Sequence, residues 1–181
     1  DLLDTEIGIV EGDIEIEKVS GAIEYRDVTF AYPGRSPIYD NLTLSVQPGE
    51  SIGIVGSTGA GKTTMMSLMM RLHDPVSGEV LLDGHDVKSL TLNCLRGSIA
   101  LVSQNTTLFP GSVRDNILYG RPDATDDEVL KAATVAEAID FIQALPRGWD
   151  TDIGEDGHRL SGGQRQRIAI ARAVLKNAPI L

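Results

Sequence analysis

The 181 residues suit one domain, or one domain with a short tail, on the usual scale of roughly 100–200 residues per domain. With 41% hydrophobic and 23% charged residues the chain is too rich in apolar side chains for a disordered polymer, and its one cysteine, Cys94, excludes an internal disulfide. No apolar run approaches the roughly 18 residues of a membrane span, no basic-then-apolar secretory signal opens the chain, and a net charge of −10 argues against a nucleic-acid partner.

In chain order, residues 1–20 carry seven acids against Lys18 and read as a solvated linker. Ile23 and Tyr25 are out of phase with Val28 and Phe30, which predicts a bulged strand with the bulge near Arg26-Asp27. Leu42, Leu44 and Val46 alternate with polar residues as a half-buried strand does, and Pro48-Gly49 makes a turn. Ile52–Val55 reads as a short buried strand, and a helix follows over 63–72, ended by Asp74-Pro75. Val80–Leu82 and Ile99–Val102 are further strands. Thr125 with Glu128, and Thr134 with Glu137, each fit a capping box and start two helices, the second ended by Pro146. Ser161 heads a long helix to about Lys176 in a stretch with four bases and no acid. Strands alternating with helices predict an α/β fold: a mostly parallel core, with an antiparallel layer from the first 50 residues. The ends, Asp1-Leu2-Leu3-Asp4 without a Met and Ile180-Leu181 opening an apolar strand, lead us to expect a fragment.

Gly56-Ser57-Thr58-Gly59-Ala60-Gly61-Lys62-Thr63 matches G-x-x-x-x-G-K-[ST] between a predicted strand and a predicted helix. Glycines let backbone N–H groups approach phosphate oxygens closely, and the helix behind adds the positive end of its dipole. In such a loop Lys62 reaches the β- and γ-phosphates and the Thr63 hydroxyl ligates Mg²⁺. The motif implies nucleoside triphosphate binding without saying which nucleotide.

Leu160-Ser161-Gly162-Gly163-Gln164 repeats the idea at a second helix start: a serine cap, then two glycines that bare the backbone to an anion. On geometry alone, a plain serine cap with a flexible glycine pair fits equally well.

With this second motif the sequence resembles the ATP-binding cassette (ABC) transporter ATPases, whose signature is LSGGQ. The resemblance spans about residues 21–181 and implies a P-loop NTPase fold, RecA-like, with a helical subdomain near 105–160. It implies ATP and Mg²⁺ as ligands, with nucleotide contacts at Gly56, Ser57, Thr58, Gly59, Ala60, Gly61, Lys62, Thr63 and Thr64. It also implies a head-to-tail partner, a second ATP-binding domain in a homodimer. The Ser161, Gly162, Gly163 and Gln164 of one copy would then cover the nucleotide of the other. Tyr32 resembles the aromatic that stacks on adenine, against a half-buried strand tyrosine as the plainer reading. Gln104 resembles the glutamine that touches Mg²⁺ and the attacking water, against a polar strand cap. Thr151–Gly157 resembles the TEVGERG segment of exporter-type cassettes, which contacts the membrane domain; the plainer reading of Glu155 is an exposed loop acid.

Residues 1–20 resemble the linker leaving the last membrane helix of exporters whose membrane and ATPase parts share one polypeptide. The resemblance therefore implies a transmembrane domain in the same chain, a place on the cytoplasmic face of the inner membrane, and export of a lipid or other hydrophobic substrate. Leu82–Val87 and the exporter-type loop are most similar to exporters of lipid A and of multiple drugs. The implied catalytic groups here are Lys62, Gln104 and Ser161. The family's water-activating Glu and γ-phosphate-sensing His follow the position of Leu181, and His73, His85 and His158 match neither; each is expected at the surface. Alternatives are a soluble ABC ATPase outside transport and, further off, another P-loop NTPase such as a small-molecule kinase.

Overall fold

The computed structural model describes residues 9–181. The chain divides into two units, one ending at Ile99 and one running from Ala100 to Leu181.

The first unit is built on a four-stranded sheet of order β2-β1-β3-β4, with β1 at Ile23–Phe30, β2 at Tyr39–Val46, β3 at Ser77–Leu82 and β4 at His85–Asp86. Every pairing is antiparallel. The expected bulge in β1 is present: the register shifts between Tyr25 and Val28 against β2 and between Arg26 and Thr29 against β3. Asp27 sits at φ 49°, and its carboxylate takes the Thr43 hydroxyl at 3.1 Å. That detour lets Tyr25, Val28 and Phe30 all be buried although their spacing is irregular. Gly78 packs under the bulge, where a Cβ would stand 2.4 Å from the carbonyl oxygens of Arg26 and Asp27. β3 and β4 are joined through Asp83 and Gly84, both at positive φ, the requirement of a tight hairpin turn.

Helix α1 runs over Lys62–Met69, shorter than the predicted 63–72. Arg71 ends it by turning left-handed (φ 50°), with Arg71 N donating to Leu68 O (3.0 Å) and Leu72 N to Ser67 O (2.8 Å), a Schellman closure. Helix α2, Leu92–Gly97, capped by the Thr91 side chain, adds to the predicted elements.

The acidic segment before β1 is no free linker over its described part. Gly12 N donates to Leu90 O (3.1 Å), Ile14 N to Ser89 O (3.0 Å), and Thr91 N to Ile14 O (3.0 Å). The Asp83 carboxylate accepts from the amides of Ser20 (2.6 Å), Gly21 (3.1 Å) and Ala22 (2.7 Å). The charges face solvent while the backbone is tied down, so composition alone misleads here.

The second unit is helical: α3 Val113–Leu118, α4 Asp126–Val135, α5 Ile139–Ala144 and α6 Gly162–Lys176. Ile117, Ile142, Ile153 and Ile168, all fully buried, lie in its core. The Thr125–Glu128 capping box is formed. The predicted Thr134–Glu137 box is not: the Thr134 hydroxyl donates back to Leu130 O (2.8 Å) inside α4, and Glu137 takes φ 54° in the link to α5. A residue in the last turn of one helix cannot cap the next. A further capping box, Ser112 with Asp115, starts α3.

The strands expected at 52–55 and 99–102 do not form as named strands. Val55 is 96% exposed and Leu101 54% exposed. A parallel strand takes its hydrogen bonds from neighbours brought in by crossovers, and neither segment has a named strand beside it among the described residues.

Candidate functional site

The glycine-rich loop leads straight into α1. Gly59 (φ 87°) and Gly61 (φ 90°) are left-handed, which is why this segment needs glycine. Gly61 has a second reason: a Cβ would lie 2.7 Å from both Ile38 Cγ2 and the Tyr39 hydroxyl. Tyr39 donates to Gly61 O at 2.6 Å, pinning the loop to β2, and burial pushes its phenol up, keeping the proton on this donor. Among the described residues the N–H groups of Gly59, Gly61, Lys62 and Thr63 have no acceptor. Lys62 Nζ folds over the loop and donates to Gly56 O (2.7 Å) and Ser57 O (2.8 Å). The arrangement is a turn with free donors, a positive helix end and an ammonium held at its rim. It fits a chain of phosphates.

Thr63 is exposed and Thr64 buried. The Tyr32 and Thr64 hydroxyls lie 3.3 Å apart, which brings Tyr32 to the base of this helix. Its half-buried ring meets Phe30 edge-on (5.0 Å between centroids) and His73 (5.2 Å). His73 is thus exposed, as expected, yet part of an aromatic cluster; His85 and His158 are exposed. Beneath the helix Tyr25 donates to Met65 O (2.9 Å), and burial raises its hydroxyl far above the ordinary tyrosine range.

In the second unit Ser161 caps α6. Its Oγ accepts from Gln164 N (3.3 Å), and the Gln164 side chain accepts from Ser161 N (2.9 Å). Gln164 is thereby used in the cap. Gly162 and Gly163 are exposed, and a Cβ at Gly163 would find no atom within 4 Å. Neither glycine has a positive φ. Nothing among the described residues therefore requires glycine at 163. Gln104, exposed and without a side-chain partner among the described residues, lines a cavity of about 380 Å³ with Asn105, Thr107, Asp156, Gly162 and Arg165. The structure so brings Gln104 and the start of α6 to one cavity. Nearby, Ile153 is fully buried and Ile153 N donates to Gly111 O (3.0 Å), leaving Glu155 exposed on a short 3-10 turn.

Two residues of this region escaped the sequence reading. Arg172 on α6 donates to Asn116 O (2.9 Å), Asn116 Oδ1 (3.0 Å) and Thr107 O (3.2 Å), and its guanidinium lies against the rings of Phe109 and Tyr119. Asn116 is 1% exposed and also clasps Phe109 through both backbone groups. Together they tie the segment after Gln104 to the helix that Ser161 heads. No local pattern marks either residue; the one available signal was an arginine on the apolar stripe of a helix.

Residues 39–181 match the ABC transporter family. The chain is 53% identical over 94% of its length to ABC transporter B family member 1 of Arabidopsis thaliana, covering 14% of that protein. It is 50% identical over 99% of its length to an ATP-dependent lipid A-core flippase of Thiobacillus denitrificans, covering 31% of it. It is 48% identical over 94% of its length to a β-(1→2)glucan export ATP-binding/permease protein of Agrobacterium vitis, covering 29% of it. A solved structure of a bacterial Atm1-family ABC exporter with ATP bound superposes with a TM-score of 0.94 at 40% identity, over 99% of this chain and 32% of that one. The chain thus spans a third or less of these relatives. With a phosphate-binding loop, a glycine-led helix start and these relatives in agreement, the chain belongs to the ABC transporter family and has the P-loop NTPase fold of its ATP-binding part.

Proposed function

We propose that this chain is the ATP-binding and hydrolysing motor of an exporter-type ABC transporter. It would work on the cytoplasmic face of a membrane, joined in one polypeptide to a transmembrane domain that exports a lipid or other hydrophobic substrate. Two copies pair head to tail. Lys62 would leave the carbonyls of Gly56 and Ser57 for the β- and γ-phosphates, and the free amides of the loop would bind the same groups; Thr63 would offer its hydroxyl to Mg²⁺, and Gln104 is the further Mg²⁺ ligand that the resemblance implies. Tyr32 meets the base. Ser161, Gly162 and Gly163 close over the partner's nucleotide. Turnover also needs a group that orients water. By the family resemblance that glutamate would follow the position of Leu181, so hydrolysis is assigned to the full-length protein, and residues 1–181 alone are expected to turn ATP over negligibly. Residues 1–20 serve as the link to the membrane domain. The names of the relatives favour an exporter over a soluble ABC ATPase.

The observation that carries this reading is the open space at Gly163, beside a serine cap, where no described residue comes within 4 Å of an added Cβ. Mixed dimers of the full-length protein, one copy Lys62→Ala and the other Ser161→Ala, test it. A site shared between copies leaves one intact site, so one nucleotide is occluded per mixed dimer. If both groups act within one copy, every site is damaged and none is occluded, and the paired motor is wrong.

A further inference from the structure

Arg71 is 4% exposed, yet it is not spent on a salt bridge alone. Its Nε donates to Asp74 Oδ1 (3.0 Å), Nη1 to Lys88 O (3.1 Å) and Nη2 to Val10 O (2.7 Å). It does this from a left-handed backbone position, uncommon for a residue with a Cβ and kept only when the surroundings over-determine it. The residue stands at the end of α1, one rigid rod of about 12 Å from Lys62. One arginine therefore links the back of the phosphate-loop helix to the segment that precedes the sheet.

That segment is held as a strap. Beside the Arg71 bond, Gly12 and Ile14 donate to Leu90 O and Ser89 O, Thr91 N returns a bond to Ile14 O, and Leu92 N donates to the Glu11 carboxylate (3.1 Å). Gly12 is the point of closest approach: a Cβ there would lie 2.0 Å from Ser89 O. Ile16 N adds a bond to Cys94 Sγ (3.3 Å), so the strap is held through its backbone while its apolar side chains stay in solvent, Val10 79% exposed; with little apolar burial it belongs to the part of the unit that opens before the sheet does.

We infer that Arg71 is a positioning residue that ties residues 10–16 to the far end of the phosphate-loop helix, so that nucleotide at the loop and docking of the strap reinforce each other. The coupling is reciprocal: whatever factor nucleotide adds to docking, docking adds to nucleotide affinity. This rests on the ATP-binding reading and gives the chain a route by which nucleotide occupancy reaches the polypeptide before Val10.

The test is amide hydrogen exchange on the full-length protein with and without a non-hydrolysable ATP analogue and Mg²⁺. The analogue is expected to slow exchange at Gly12, Ile14 and Thr91 about fivefold or more, as couplings of this kind do. Gly12→Ala, which strikes the strap alone, should abolish that slowing and weaken analogue binding by a similar factor. Arg71→Lys keeps a charge for Asp74 but cannot fork to two carbonyls, and should do the same; if it fails to fold, Gly12→Ala still decides. A strap that is merely structural would exchange faster in Gly12→Ala with analogue affinity unchanged, and that result overturns the inference. So does analogue protection of residues 56–63 without any at 12–16. Absence of protection at 56–63 takes down the ATP reading and this inference with it.

Discussion

Replacing Gly163 by alanine separates a structural glycine from one kept for a ligand. Gly163 lies in the first turn of α6 without a positive φ, and an added Cβ has no atom within 4 Å. Alanine exceeds glycine in a helix by about 0.8–1 kcal/mol in the interior, and by less so close to the end. The substitution should therefore raise stability by roughly 0.5 kcal/mol, and the melting temperature should stay level or rise slightly. Function should move the other way. If a partner's γ-phosphate packs on this backbone, a methyl group displaces it by about 1 Å, and a misplacement of that size costs on the order of 10²-fold in rate. The assay is steady-state ATP turnover of the full-length protein at saturating Mg·ATP, alongside a melt of the same sample. Turnover within twofold of wild type, with the melt unchanged, would refute the claim that the open space at Gly163 receives a nucleotide.

Gly61→Ala should do the reverse: the φ of 90° and the 2.7 Å approach to Ile38 and Tyr39 cost roughly 2–4 kcal/mol, seen as a lowered melting temperature together with lost nucleotide binding. Asn116→Ala strips both backbone groups of Phe109 and one bond from Arg172; it should destabilise by about 3 kcal/mol in denaturant titration and speed exchange at the Phe109 amide. Glu128 is pulled from 4.5 to about 2, first by the Thr125 amide and then by Arg121 and the Thr125 hydroxyl. Because the folded value is the lower one, the stability it contributes is complete above about pH 4.5–5 and is lost as pH falls towards 2. The melting difference between wild type and Glu128→Gln should thus be constant near neutrality and close up across that window; a difference independent of pH would contradict the assignment.

The phosphate-loop glycines and the Thr125 and Ser161 caps were legible in the sequence because their physics is local. The left-handed turns at Gly59 and Gly61 ask for glycine, and a cap bond spans three residues. The β1 bulge was legible for a similar reason, since a break in an apolar alternation has few other causes. Two further signals of the same kind stand at Thr91 and Ser112. Thr134 with Glu137 has the residues of a capping box, but they sit where α4 is ending, so the Thr134 hydroxyl turns back to Leu130 O.

Other features rest on partners far away in the chain. Arg71 reaches Val10 across 61 positions and Arg172 reaches Thr107 across 65, and no window of sequence holds both ends of either bond. The acidic segment read as solvated because composition reports side chains, whereas its docking runs through backbone groups that every sequence possesses. Ile52–Val55 has the residues of a buried strand but not the pairing, since a strand's hydrogen bonds are supplied by its neighbours. The left-handed phosphate-loop glycines, the Thr125 and Ser161 caps and the β1 bulge were settled by the residues themselves, because each is a property of a few adjacent backbone angles. Which arginine is buried, which loop is strapped and which apolar run is covered waited on the tertiary structure, because those energies exist only between segments brought together in space.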